Sequence, residues 1–71
     1  MYNTISLDNG RTTLTAEEAM PEIIERNLWD TIVCLMDDDI REAVAADLAP
    51  CTEAEFLAEY LRRAPEGLIV G

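Results

Sequence analysis

The 71-residue sequence contains no histidine and no lysine, and its five basic residues are all arginine. General acid–base and nucleophilic catalysis commonly depend on a histidine or lysine placed beside the reacting group. Their absence excludes serine–histidine and cysteine–histidine mechanisms and leaves carboxylate chemistry as the one enzymatic alternative. We therefore expect a protein that is not an enzyme.

Cysteine and glycine are also scarce. Cys34 and Cys51 are not arranged as a CxxC pair, and without histidine they cannot complete a zinc site. We expect both thiols to be reduced and buried in the core, with a disulfide or redox switch as the alternative. None of the three glycines is predicted to open a helix after a strand, so a phosphate-binding loop is excluded and no cofactor is expected.

Long apolar runs are missing as well, since none approaches the roughly 20 residues that a membrane-spanning helix needs. The first residues, Met1-Tyr2-Asn3-Thr4, lack the basic segment and apolar stretch of a secretory signal. We therefore expect a cytoplasmic location and no membrane partner. The apolar content of 49% is typical of globular proteins and predicts a single domain over residues 1–71.

Negative charge is what the sequence has in excess. Fifteen acidic residues against five arginines give a net charge of −10. Such a chain repels nucleic acid and anionic membranes and is attracted to basic protein surfaces. The arginines are scattered among acidic residues, so no basic stripe exists for direct nucleic-acid binding. The alternative is that the acidity serves only solubility.

The N-terminal segment has the pattern of a β-hairpin. Asn9-Gly10 lies between β-prone residues, and both residues tolerate a positive φ angle. This pattern predicts a hairpin formed by Tyr2–Leu7 and Arg11–Leu14. The β-branched residues of Leu68-Ile69-Val70-Gly71 predict a short strand beside it.

The first predicted helix has two possible beginnings. Thr15 and Glu18 have the spacing of a capping box, in which each side chain satisfies the backbone of the other residue. Pro21 disrupts a helix interior but is well tolerated at a first helical position. Either residues 16–20 form an isolated turn, or the main helix of about 15 residues begins at Pro21.

Two further helices are predicted from capping patterns and apolar spacing. One runs from about Asp39 to Ala49, and the other follows a second capping box at Thr52 and Glu55 and ends near Ala64. The latter helix also contains Glu59 and Arg63 at the spacing of a supporting ion pair. The predicted fold is α+β, with a hairpin, three helices and a C-terminal strand in the order ββαααβ.

The run Asp37-Asp38-Asp39 is the densest acidic segment. Together with Glu42 it could hold a hard cation, but it lacks the alternating oxygen ligands and central glycine of a calcium loop. Acidic residues before a helix cap its free N–H groups and complement its dipole. We therefore expect helix capping and no metal site.

Seven acidic residues on or immediately before the last two predicted helices are the candidate partner-binding surface. They are Asp37, Asp38, Asp39, Glu42, Asp47, Glu53 and Glu55. The expected partner is a basic protein surface. The alternative is a small structural or regulatory module that forms a homodimer through Trp29 and the apolar C-terminal residues.

Two segments carry a resemblance to known sequences. LMDDDIRE at residues 35–42 and LAPCTEAEFLAEYL at residues 48–61 resemble uncharacterised short acidic proteins of bacterial prophages and integrative mobile elements. The similarity extends over roughly residues 28–71. By class, such proteins resemble anti-defence inhibitors, including anti-CRISPR and antirestriction proteins, several of which imitate DNA. This resemblance implies an inhibitor of a nucleic-acid-handling host defence enzyme.

Overall fold

The computed structural model describes residues 3–71, which form four helices and a two-stranded parallel sheet. The elements in chain order are β1 (Ile5–Ser6), α1 (Ala16–Arg26), α2 (Trp29–Leu35), α3 (Asp38–Leu48), α4 (Glu53–Arg63) and β2 (Leu68–Ile69). The predicted ββαααβ order with three helices is therefore wrong. The chain is mostly helical, and its strands are short.

The predicted hairpin is replaced by one antiparallel bridge. Ile5 and Leu14 exchange both backbone hydrogen bonds, at 2.9 and 2.8 Å, but no ladder continues from them. β1 pairs instead with β2, in parallel, so that Ile5 faces Leu68. Tyr2, the first residue of the predicted hairpin, lies outside the described residues.

Side chains of Ser6 and Asp8 explain why the hairpin ladder does not form. The buried Ser6 hydroxyl accepts the N–H of Gly10 at 2.7 Å, and the Asp8 carboxylate accepts the N–H of Thr12 at 2.8 Å. The bond from Thr12, followed by that from Ser6, lowers the pKa of Asp8. The backbone donors of Gly10 and Thr12 are thus satisfied within the loop, whereas the Asn9 N–H binds the carbonyl of Val70 at 2.9 Å.

Helix α1 begins at Ala16 and runs through Pro21, so residues 16–20 are not an isolated turn and Pro21 is not a first helical position. The Thr15 and Glu18 capping box forms at Ala16 and stabilises the first turn. Proline removes the hydrogen bond to the carbonyl four residues earlier, that of Glu17, and both residues are exposed to water. The buried side chains of α1, which include Met20 and Ile23, hold the whole helix on the core.

A left-handed residue separates α1 from α2. Asn27 has a φ angle of 53°, a conformation that asparagine adopts more readily than most residues. Its N–H binds the carbonyl of Ile24 at 3.2 Å, and the Leu28 N–H binds the carbonyl of Ile23 at 2.9 Å. This pair of bonds is a Schellman motif, which ends α1 and turns the chain into a separate helix.

The core lies between the sheet and the helices, with α4 packed against both α1 and α3. Its largest fully buried apolar side chains come from β1 and all four helices: Ile5, Ile23, Ile32, Val44, Leu57 and Leu61. The buried Tyr60 also accepts the backbone N–H of Asp37 at 2.8 Å through its hydroxyl. This bond fixes the start of α3 against α4.

The cysteines differ from the prediction. Cys34 is exposed and Cys51 is half-buried, and both are free thiols. The expectation that both are buried, which rested on how often free cysteine is buried, is therefore wrong. Cys51 lies in the connection before α4, and Cys34 lies on α2, a seven-residue helix whose one buried residue is Ile32. Cys34 lies on the outer side of this short helix.

Candidate protein-binding surface

Two of the three consecutive aspartates at the start of α3 have side chains that interact with other residues of the chain. The Asp37 carboxylate accepts the N–H groups of Asp39 and Ile40 at 3.0 and 3.2 Å and so caps the helix. Asp38 forms an ion pair with Arg41 at 2.8 Å. Asp39 is exposed, and its carboxylate makes no hydrogen bond or ion pair with another residue in the range 3–71.

Asp47 and Glu55 are also engaged within the chain. Asp47, in the last turn of α3, pairs with Arg63 at 2.6 Å. Glu55 accepts the backbone N–H of Thr52 at 3.2 Å in the second capping box. Their negative charge is thus partly offset by local partners.

The last turn of α4 contains a network of ion pairs, only part of which was predicted from the sequence. Glu59 binds both Arg62 and Arg63, and the latter contact measures 2.6 Å. Hydrogen bonds from Arg62 and then Arg63 lower the pKa of the Glu59 carboxyl to about 2. In turn, Glu59, followed by Asp47, raises the pKa of Arg63. The spacing of Glu59 and Arg63 indicated their pairing, but no sequence signal connects Arg63 with Asp47.

The remaining candidates are Asp39, Glu42 and Glu53, all exposed. Within the described part of the chain, their carboxylates have no cationic partner and no hydrogen bond. Asp39 lies one helical turn before Glu42, and Glu42 lines the same groove as Glu53 of the neighbouring helix. The structure thus brings two of the candidates together across α3 and α4.

Exposed acidic residues are not confined to these two helices. Glu17, Glu22 and Glu25 on α1 are also exposed and lack such partners among residues 3–71. The net charge of −10 is therefore distributed over several faces. Cavities also lie beside Glu17 and Glu22, but only the groove beside Glu42 and Glu53 has tryptophan and phenylalanine among its lining residues.

The groove lies between α2, α3 and the start of α4 and has a volume of about 400 Å³. Its lining residues are Trp29, Val33, Arg41, Glu42, Ala45, Cys51, Thr52, Glu53 and Phe56. The rings of Trp29 and Phe56 meet edge to face, with centroids 6.2 Å apart and planes at 83°. Both aromatic residues are half-buried and pack against the core, so they form an aromatic wall of the groove that is held in place by the core.

Three further observations concern the other kinds of site considered from the sequence. No group of three or more histidine, cysteine, aspartate or glutamate side chains among residues 3–71 is arranged to hold a metal ion. Of the apolar C-terminal segment, Leu68 and Val70 are buried, whereas Ile69 is 60% exposed. Across residues 3–71, no helix has the length and apolarity to span a membrane.

Comparison with known proteins adds a family to this geometry. A family model described as anti-CRISPR protein AcrIC5 matches residues 24–64, which is more than half of the chain. Searches of curated proteins and of solved structures gave no match. The matched segment contains α2, α3 and α4 and therefore every residue of the groove. The chain belongs to the anti-CRISPR protein AcrIC5 family.

Proposed function

We propose that the chain inhibits a CRISPR–Cas system without catalysis, by binding a basic surface of a Cas protein or effector complex. Family membership supports the anti-CRISPR role. The observation that carries the binding mode is the set of exposed carboxylates on α3 and α4 that have neither a cationic partner nor a hydrogen bond within residues 3–71: Asp39, Glu42 and Glu53. Their charge is available to a partner.

The rigidity of the two helices favours this use. Tyr60 holds the start of α3 against the last turn of α4, and the ion pair of Arg63 with Asp47 joins the end of α3 to the same turn. Carboxylates on a preorganised surface lose less conformational entropy on binding than carboxylates on a mobile segment. A fixed array also guides a basic surface into one orientation.

The proposed partner surface is one that otherwise contacts nucleic acid. Such surfaces are lined with arginine and lysine side chains that bind phosphates. Carboxylates presented by α3 and α4 would occupy those side chains and compete with DNA or RNA. The chain would then act as a DNA mimic in charge, and inhibition would follow from blocked nucleic-acid binding.

The test measures binding to purified effector complexes that the chain inhibits. We expect affinity to fall steeply between about 50 and 500 mM NaCl, because salt screens interactions between exposed charges. We also expect target DNA to compete for the bound complex. Affinity that is unchanged over this salt range, or simultaneous binding of the chain and the target DNA, would contradict the proposed mode.

A further inference from the structure

We propose that the groove between α2, α3 and α4 receives an arginine side chain of the partner protein. This inference rests on the proposed function and specifies how its surface recognises a basic partner. Its starting point is the combination of an aromatic wall, formed by Trp29 and Phe56, with two carboxylates from different helices, Glu42 and Glu53. An arginine side chain has the chemistry that matches both features.

The local charge favours a cationic occupant. Arg41 also lines the groove, but its guanidinium already binds the carbonyl of Val33 at 3.1 Å and the carboxylate of Asp38 at 2.8 Å. Glu42 and Glu53 have no such partner among residues 3–71. The first turn of α4 contributes only a partial positive charge, which the full charge of Glu53 outweighs. The groove is therefore negatively charged overall.

An uncharged occupant fits these surroundings poorly. An apolar side chain would displace water from the Glu42 and Glu53 carboxylates without replacing its hydrogen bonds, which is unfavourable for a charged group. A guanidinium donates up to five hydrogen bonds and pairs with carboxylates in a planar geometry. It also stacks on aromatic rings, and its aliphatic stem packs on apolar walls. A lysine ammonium is a more strongly hydrated point charge and matches the wall less well.

Trp29 is the only tryptophan of the chain, so a spectroscopic signal from it reports on the groove directly. The probe is the peptide acetyl-Gly-Arg-Gly-amide, titrated into the ¹⁵N-labelled full chain. The matched control replaces arginine with citrulline, which has nearly the same shape and no charge. We expect saturable shifts of the Trp29 indole N–H signal with the arginine peptide, at an affinity at least about fivefold higher than with citrulline.

Charge variants test whether the two carboxylates are responsible. We expect Glu42→Gln/Glu53→Gln to abolish the preference for arginine over citrulline. The control Glu25→Gln/Glu66→Gln removes the same charge from exposed residues that do not line the groove, and we expect the preference to remain. Equal shifts with both peptides, no saturable shift at Trp29, or a preference that survives in Glu42→Gln/Glu53→Gln would overturn the inference.

A steric variant separates this inference from the proposed function. Ala45→Leu places a larger side chain in the groove and leaves every charge in place, whereas Ala46→Leu alters an exposed neighbour outside the groove. With both folds verified by circular dichroism, we expect only Ala45→Leu to weaken binding to the inhibited effector complex, by about fivefold or more.

The outcomes of this comparison are distinct. If removal of the α3 and α4 carboxylates weakens effector binding but Ala45→Leu binds as the unmodified chain does, the acidic surface is used and the groove is not. If neither change affects binding, the proposed function fails together with the inference.

Discussion

The Asp47 carboxylate lies 2.6 Å from the Arg63 guanidinium, and this ion pair joins the last turn of α3 to the last turn of α4. Arg63 also binds Glu59 within its own helix at 2.6 Å. The contacts have two consequences. They reduce the negative charge that Asp47 can offer to a partner, and they hold together the helices that carry Glu42 and Glu53.

Glu59 predicts a pH dependence of stability. Its pKa in the folded chain is lowered from 4.5 to about 2, so the folded state is favoured while the carboxyl is ionised. This contribution is fully present above the unfolded-state pKa and is lost as the pH falls from about 4.5 towards 2. We expect Glu59→Gln to reduce the free energy of unfolding near neutral pH, with the deficit shrinking at acidic pH.

The measurement is urea denaturation of both proteins at a series of pH values from about 7 to 2. Repulsion among the other carboxylates also changes with pH, but it changes equally in the two proteins. The difference between their free energies of unfolding therefore reports on Glu59. A deficit that stayed constant over the whole range would show that the Glu59 network does not exist in solution.

The two capping boxes predict a matched set of stability changes. Thr15→Ala and Thr52→Ala each remove a side-chain acceptor for a free backbone N–H, at Glu18 and Glu55 respectively. Each change should lower the free energy of unfolding by about 1 kcal/mol. The control is Thr13→Ala, at an exposed residue outside any helix, which should change it by less than about 0.5 kcal/mol. Equal effects at all three positions would argue against the caps.

Substitution by alanine should lower the free energy of unfolding more at Gly67 than at Gly10. Both have positive φ angles, 66° and 90°. An alanine Cβ at Gly67 would overlap the Thr4 carbonyl oxygen, which accepts the Leu68 N–H, whereas one at Gly10 would meet no atom within 4 Å.

Gly10→Ala should therefore cost only the backbone strain, about 1–2 kcal/mol. Gly67→Ala should cost about 1–3 kcal/mol more because β1 and β2 must separate. Thermal unfolding of both variants measures the difference, and equal melting temperatures would contradict the parallel pairing of the strands.

The Tyr60 hydroxyl connects α4 to the start of α3, and we expect its removal to lower the free energy of unfolding. Tyr60→Phe removes the hydroxyl that accepts the Asp37 N–H and keeps the buried ring. The free energy of unfolding should fall by about 1 kcal/mol, and by up to about 3 kcal/mol if the N–H stays unsatisfied. Urea denaturation provides the value, and an unchanged midpoint would contradict this contact.

Local interactions were the part of the fold that the sequence predicted well. The capping boxes at Thr15 and Thr52 depend on residues three positions apart, so their spacing is visible in the sequence. The end of α1 at Asn27 was missed because apolar spacing continues from Ile23 to Ile32 without interruption. Periodicity does not show that one residue adopts a left-handed conformation.

Contacts between residues far apart along the chain could not be predicted from the sequence pattern. The signal of Asn9-Gly10 predicted a hairpin, but β1 pairs with a strand more than 60 residues away along the chain. At the candidate surface, the residue types that favour a basic partner were evident. The sequence did not show which carboxylates stay unpaired, because the contact of Asp47 with Arg63 joins residues 16 positions apart in different helices.

The most direct test of the acidic surface compares two triple variants as inhibitors of the CRISPR–Cas effector complex that the chain inhibits. Asp39→Asn/Glu42→Gln/Glu53→Gln removes the charge of the proposed surface, and Glu17→Gln/Glu25→Gln/Glu66→Gln removes the same charge elsewhere. The concentration that halves target-DNA binding by the complex is measured for each. We expect it to rise at least about tenfold for the first variant and little for the second. Equal inhibition by both variants would contradict recognition through α3 and α4.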